Sequence, residues 1–197
     1  MVSDWIQKSA KIEQLRAGFS LRILPSFRAA HKLFLNSELY MTKNFQRILI
    51  SVLLCVAVGA LSGIATQSSV DTWYVQLTKP AFNPPNAVFA PVWTVLYVLM
   101  GLAAGLVWNR GFHHLWVKTA LYHFGFQLLL NALWSVVFFG LRNPGVALLV
   151  IAALLILILL TMRWFRVVYT PAAWLMLPYL LWVLFASVLN YEIWRLN

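Results

Sequence analysis

Acidic residues are scarce: the 197-residue chain holds five Asp and Glu against fifteen Lys and Arg, and charged residues of both signs make up 10% of it. So few carboxylates exclude the solvated surface of a soluble enzyme, and with 62% of positions apolar the sequence reads as a membrane protein. The long polar stretches that would separate a second globular domain are missing too. A net charge of +10 raises nucleic acid as a partner. The basic residues, however, are scattered between apolar runs and form no stripe with a readout motif. No nucleic-acid partner is therefore predicted, and the cations read as topology signals and headgroup contacts. Cysteine occurs once, as Cys55 inside an apolar run, which excludes an intrachain disulfide framework and a thiolate metal site. There is no Ser/His/Asp grouping, no pair of carboxylates and no metal-ligand cluster, so conventional hydrolytic and metal chemistry find no residues here.

Residues 1–40 stand apart. They carry six basic and three acidic residues and no apolar run long enough to span a bilayer. Neither a secretory signal nor a transit peptide fits them. Ile6, Ile12, Leu15, Phe19, Ile23 and Phe27, interleaved with Lys8, Lys11, Arg16 and Arg22, suit a mobile or interfacial extension, a broken amphipathic helix on an anionic membrane surface. Pro25 is expected to interrupt that helix. The working domain is taken as 41–197.

Within it, apolar stretches near 48–66, 91–108, 119–139, 146–162 and 172–191 each approach the roughly 20 residues that cross about 30 Å of hydrocarbon. No barrel-strand alternation is present, so the fold class is all-α: a polytopic bundle of five transmembrane helices. Lys43, Arg47, Arg110, Lys118, Arg163 and Arg166 flank the spans on one side, against Lys79, Arg142 and Arg195 on the other, which puts the amino terminus inside. The connection between the first two helices, about 67–90, is long, rich in proline and aromatic residues, and is expected to be a stiff flap over the mouth of the bundle rather than a floppy linker. An interfacial aromatic belt is the alternative reading of its Trp73, Tyr74, Phe82 and Phe89.

Several helical spacings suggest a binding pocket. Gln127, Asn131 and Ser135 (or Trp134) form one polar stripe on the third span, which must face protein or ligand because an unpaired amide in hydrocarbon is costly. Helix-to-helix glue suits Gln127. Tyr179, Trp182, Ala186 and Asn190 share one face of the fifth span, with a wide indole beside a small gap. Trp93 and Tyr97, at i and i+4 on the second span, offer an opposing wall, so that two tryptophans are expected to sandwich a macrocycle, with plain aromatic packing as the alternative. Gly59 with Gly63 and Gly101 with Gly105 permit close helix approach, within the chain or between chains. His113 and His114 read as solvated, His123 as paired with a polar neighbour rather than with iron, and His31 lies in the extension.

The run Trp73-Tyr74-x-x-Leu77-x-Lys79-Pro80-x-Phe82-x-Pro84-Pro85, followed by Pro91-Val92-Trp93-Thr94-x-Leu96-Tyr97, resembles the translocator protein family, also known as tryptophan-rich sensory proteins, TspO/MBR or peripheral-type benzodiazepine receptors. The likeness continues through Gln127, Asn131, Trp134, Ser135, Phe138 and Phe139, and through Pro178, Tyr179, Trp182, Phe185, Ala186, Ser187, Leu189, Asn190 and Tyr191. It covers about 41–197. It implies a five-helix membrane protein, often a homodimer, that binds porphyrins, haem and, in some members, cholesterol and synthetic ligands. It also implies ligand-pocket roles for Tyr74, Trp93, Asn131, Trp182 and Ala186, with Pro84, Tyr97 and Trp134 beside them, and it makes Trp93 and Trp182 the catalytic pair if porphyrin is degraded. Leu189, Tyr191 and Arg195 match a proposed sterol motif, for which a plain aromatic and cationic helix anchor is an equal account.

The expected function is therefore tetrapyrrole or other flat-lipophile binding in an intramembrane pocket, for transport or sensing, with porphyrin or haem as ligand and no required cofactor or metal. The alternative is an enzyme using light, oxygen and tryptophan radicals. A proton-coupled exporter is disfavoured, because Asp71 and Glu192, the acids of the domain, lie near helix ends. Asn131→Ala is expected to weaken ligand binding more than stability. A bacterial envelope membrane is favoured, or the mitochondrial outer membrane if the source is eukaryotic.

Overall fold

The computed structural model describes the backbone of residues 2–197 and the side chains of residues 7–11, 13, 14 and 41–197. The chain divides into two units, Met1–Lys43 and Asn44–Asn197. In the first, the described backbone is helical throughout as part of α1 (Val2–Thr72), so the expected interruption at Pro25 is not found: the proline removes one N–H donor from the ladder without ending the helix. The apolar and basic face suggested for this segment lies largely outside the described side chains.

The described residues are helical with no strand, and five stretches are long and apolar enough to cross a membrane: Met41–Thr72, Asn86–Trp108, Leu115–Gly140, Pro144–Val168 and Thr170–Leu196. The chain is a multi-pass α-helical membrane protein. After α1 come α2 (Asn86–Trp108), α3 (Leu115–Ser135), α4 (Pro144–Val168), and the short α5 (Thr170–Leu175) and α6 (Leu177–Leu196), which together make the fifth span. That span is broken at Met176, just ahead of Pro178, which lacks the N–H needed to continue the ladder unbroken. Pro144 opens α4 at its first position, where its missing donor costs nothing, and the Asn143 side chain caps the helix by accepting from the Val146 N–H at 3.0 Å.

The helices outrun the apolar stretches from which they were predicted. α1 continues to Thr72 because its hydroxyls bond its own backbone: Thr66 Oγ1 donates to Ser62 O (2.8 Å) and Thr72 Oγ1 to Ser68 O (2.7 Å), so polarity rises without breaking the helix. The connection to α2 is correspondingly shorter and fully structured. A single 3₁₀ turn, Tyr74–Gln76, precedes an extended Leu77 and a turn in which the Asn83 N–H donates to Pro80 O at 3.0 Å. Asn197 holds this segment from the far end of the chain, accepting from the Thr78 N–H at 2.9 Å and donating to Thr78 O at 3.0 Å.

α3 packs along α4, α4 along α6, and α2 against α3, α5 and α6. Met100, Ala103, Val107, Leu154, Ile158, Phe165, Met176 and Tyr179 form the centre of the main core. Small residues set the seat of α1. A Cβ at Gly101 would collide with the Val52 backbone, and one at Gly105 would stand 2.6 Å from Ile48 Cα. Their contact is therefore within the chain. Gly59 likewise leaves room for the Tyr97 ring, whereas Gly63 faces open space. α1 is the least buried of the five spans.

Candidate functional site

A polar ladder runs through the middle of the bundle. The Tyr97 hydroxyl donates to Asn131 Oδ1 (2.5 Å), Asn131 Nδ2 donates to the Tyr179 hydroxyl (3.2 Å), and that hydroxyl donates to Gln127 Oε1 (2.9 Å). Gln127 Nε2 ends the ladder on Met100 Sδ at 4.0 Å. All five residues are buried, and they belong to α2, α3 and α6. Each amide that helical spacing placed on the inner face of α3 is thereby satisfied by protein, which matches the glue reading for Gln127 and extends it to Asn131. A second junction sits one turn further on: Trp134 Nε1 donates to Asn190 Oδ1 (3.0 Å), and Asn190 Nδ2 donates to Pro144 O (2.9 Å).

Between these ladders and α1 lies a cavity of about 460 Å³. Trp93, Tyr97 and Phe89 of α2, Trp134 of α3, and Trp182, Ala186 and Leu189 of α6 form its walls. Tyr74 lines it from the connection, and Phe138 and Phe139 from the end of α3. Here the helix widens over Val136–Gly140, so that the Leu141 N–H reaches back to Val136 O at 2.8 Å. Widened turns of this kind re-aim side chains and are frequent at functional sites. This one sets the Phe138 ring against Trp134 (centroids 5.2 Å apart, planes 28°) and beside Trp73 and Tyr74.

Trp93 and Trp182 touch, but not as a sandwich. Their centroids are 6.5 Å apart and their planes stand at 89°, so they make a right-angled corner in the cavity wall. Phe89 extends that corner, edge-on to Trp182 at 6.0 Å, and Tyr97 backs Trp93 at 5.7 Å. Trp182 Nε1 is buried with no acceptor in reach, an orphan donor of the kind native structures rarely leave without a purpose. No Lys, Arg, His, Asp or Glu lines the cavity. Its remaining polar groups are neutral, and among them the side chains of Gln67, Asn86 and Ser135 have no partner among the described residues.

Of the residues singled out from the sequence, Tyr74, Trp93, Tyr97, Trp134, Trp182 and Ala186 meet at the cavity. Asn131 stands behind the wall, its amide committed to two tyrosines, and Pro84 lies outside the lining, where its carbonyl accepts from Asn83 Nδ2 at 3.0 Å. Leu189, Tyr191 and Arg195 do not converge. At 100° per residue Leu189 falls opposite the other two; it is buried at the cavity while Tyr191 is exposed and Arg195 is paired with Glu192. Sequence reasoning missed the wall given by α1, formed by Ser62, Gly63, Thr66 and Gln67. The sign of it was small and polar residues crowding the end of an apolar run. His123 Nδ1 lies 2.8 Å from Thr119 O, as expected of a histidine paired with its own helix, and among the described residues no three His, Cys, Asp or Glu side chains group together.

The connection is fastened over this end of the cavity. The Tyr74 hydroxyl donates to Asn83 Oδ1 (3.0 Å), Phe82 meets Phe185 edge-on at 6.3 Å, and Lys79 Nζ stands 4.7 Å from the centroid of the Tyr74 ring. Burial pushes the Tyr74 phenol above its ordinary value of 10, and the bond to Asn83 offsets part of the rise.

Fold and site together define a class: a multi-pass helical membrane protein with a partly open, uncharged, aromatic cavity of ligand size between its spans. The match to known proteins is more particular. Residues 51–195 match the model of the TspO/MBR family, and the chain belongs to that family. It is similar to the tryptophan-rich protein TspO of Archaeoglobus fulgidus, 43% identical over 158 residues that cover 78% of this chain and 99% of the relative. Similarity to the Chlorobaculum tepidum protein of the same name is 41% over 157 residues, covering 80% and 99%. Human translocator protein is 41% identical over 131 residues, covering 64% of this chain and 75% of the relative.

Proposed function

We propose that the protein binds a flat, lipophilic ligand, a tetrapyrrole such as porphyrin or haem or else a sterol-like molecule, in the intramembrane cavity and serves in its transport or sensing. One observation carries this reading: a cavity of about 460 Å³, within the roughly 300–1,000 Å³ usual for small-molecule sites, is walled by indole and phenyl rings. With no histidine in the lining, haem would be held through its macrocycle rather than its iron. The uneven division of Lys and Arg about the spans supports an amino terminus on the inside. Exposed Leu49, Leu53 and Ile64 on the lightly packed α1 offer an apolar face to a second copy in a homodimer.

The test is a titration of the purified chain with protoporphyrin, following tryptophan emission. Quenching that saturates, and that weakens in Trp182→Phe, is the expected result; no quenching refutes the reading. The contact between Trp93 and Trp182 favours one second reading, light- and oxygen-dependent degradation of the bound porphyrin through tryptophan radicals. Decay of porphyrin absorbance under illumination that persists in both Trp93→Phe and Trp182→Phe refutes that route.

A further inference from the structure

An acid cannot be left inside this cavity. Its lining contains no cation, and a carboxylate taken out of water without a partner pays a desolvation cost that neutral amides and hydroxyls offset only in part. An amphiphile with an acidic tail must therefore put the tail where the cavity meets a positive charge. In the chain, Lys79 follows the lining residue Tyr74 by five positions, Arg195 follows the lining residue Ile193 by two and Arg142 follows the lining residue Phe139 by three. Arg195 is occupied, its guanidinium donating twice to Glu192 Oε2 at 3.0 and 2.5 Å. Arg142 lies in the turn between α3 and α4 and makes no side-chain hydrogen bond, ion pair or ring contact among the described residues. Lys79 stands on a lining residue, its ammonium poised on the ring of Tyr74, and among the described residues it has no carboxylate partner. The segment that carries it is pinned on both sides, by Asn197 at Thr78 and by Phe82 on Phe185, so the ammonium is held beside Tyr74 rather than left to wander.

We propose that Lys79 is a specificity-determining residue: it receives the carboxylate of an anionic amphiphile whose apolar body fills the cavity. The proposal rests on the ligand-binding reading above and adds to it a charge requirement that the cavity cannot supply. The cation–π contact with Tyr74 serves as the resting place of the ammonium until a carboxylate displaces it.

The experiment uses the full chain in zwitterionic detergent and two probes, protoporphyrin with its free propionates and protoporphyrin dimethyl ester. In Lys79→Met, affinity for the diacid is expected to fall about tenfold, the scale of one partly solvated charge-assisted contact, while affinity for the diester stays the same. Lys79→Arg is expected to restore most of the loss. Unchanged diester binding also reports that the variant is folded with its cavity intact. Equal loss for both probes, or unchanged diacid affinity in Lys79→Met, overturns the role of Lys79 and leaves the cavity reading standing. Failure of the parent chain to bind either probe overturns both.

Discussion

Replacing Asn131 by alanine separates a structural amide from a ligand-binding one. The side chain makes two interhelical hydrogen bonds, to Tyr97 and Tyr179. Such bonds inside membranes contribute about 0.6 kcal/mol on average, and up to about 1.7. The losses are unequal. The Tyr179 hydroxyl keeps Gln127 as acceptor, but the Tyr97 hydroxyl is left buried with nothing to donate to, which costs about 1–3 kcal/mol more. Asn131→Ala is therefore expected to destabilise the bundle by roughly 2–4 kcal/mol. Its effect on ligand is indirect, through loosening of the Tyr97 ring at the cavity wall. That reverses the order of effects expected from the sequence, where the amide was assigned mainly to the pocket. The assay is reversible unfolding in mixed micelles of Asn131→Ala, Tyr97→Phe and the double variant. Because removing the Tyr97 hydroxyl removes the orphan, the double variant should recover at least about 1 kcal/mol relative to additivity. Strict additivity, or an Asn131→Ala chain as stable as the parent, would refute the ladder as drawn.

Gly101→Leu drives a side chain into the Val52 backbone and should unseat α1 or abolish folding, whereas Gly63→Ala meets open space and should be neutral or stabilising by up to about 1 kcal/mol; thermal unfolding ranks the two. Asn197→Ala removes both bonds to Thr78 and should speed hydrogen exchange and proteolysis across residues 77–85 while leaving α3 and α4 protected, as mass spectrometry would register. The raised value of the Tyr74 phenol means that the folded chain holds this proton more tightly than the unfolded one. Its contribution is fully present below the unfolded value of 10 and is lost as pH climbs through the higher folded value. Absorbance of tyrosinate should show a late-titrating phase that is smaller by one tyrosine in Tyr74→Phe.

The spans were legible because hydrocarbon thickness imposes both length and apolarity, and chain position plays no part in that constraint. The α2 and α6 walls were legible for a similar reason. Trp93 with Tyr97, and Trp182 with Ala186, fall one helical turn apart, so a correct helix assignment puts each pair on one face whatever the tertiary detail. Asn131 shows where such reasoning stops. Periodicity fixes that its amide points inward, and the choice between a ligand and two tyrosines depends on side chains brought from α2 and α6 by packing. The right angle between Trp93 and Trp182 is set by rotamers and so escapes any spacing rule. Ser62 and Thr66 were hidden by their own chemistry: hydroxyls that bond the carbonyl one turn back look like tolerated polarity in a span, and only the fold reveals a chamber beside them. Proline was over-read, since Pro25 ends no helix.

Gly63 points at empty space from the span that shares least of its surface with its neighbours. Gly63 can be exchanged without disturbing the hydrogen-bonded interior formed by the other helices, whereas Gly59, one turn earlier, is kept small by the Tyr97 ring. The chamber thus has one interchangeable panel set against a fixed frame, and enlarging or shrinking the panel is the cheapest way for descendants of this sequence to change which molecule they accept.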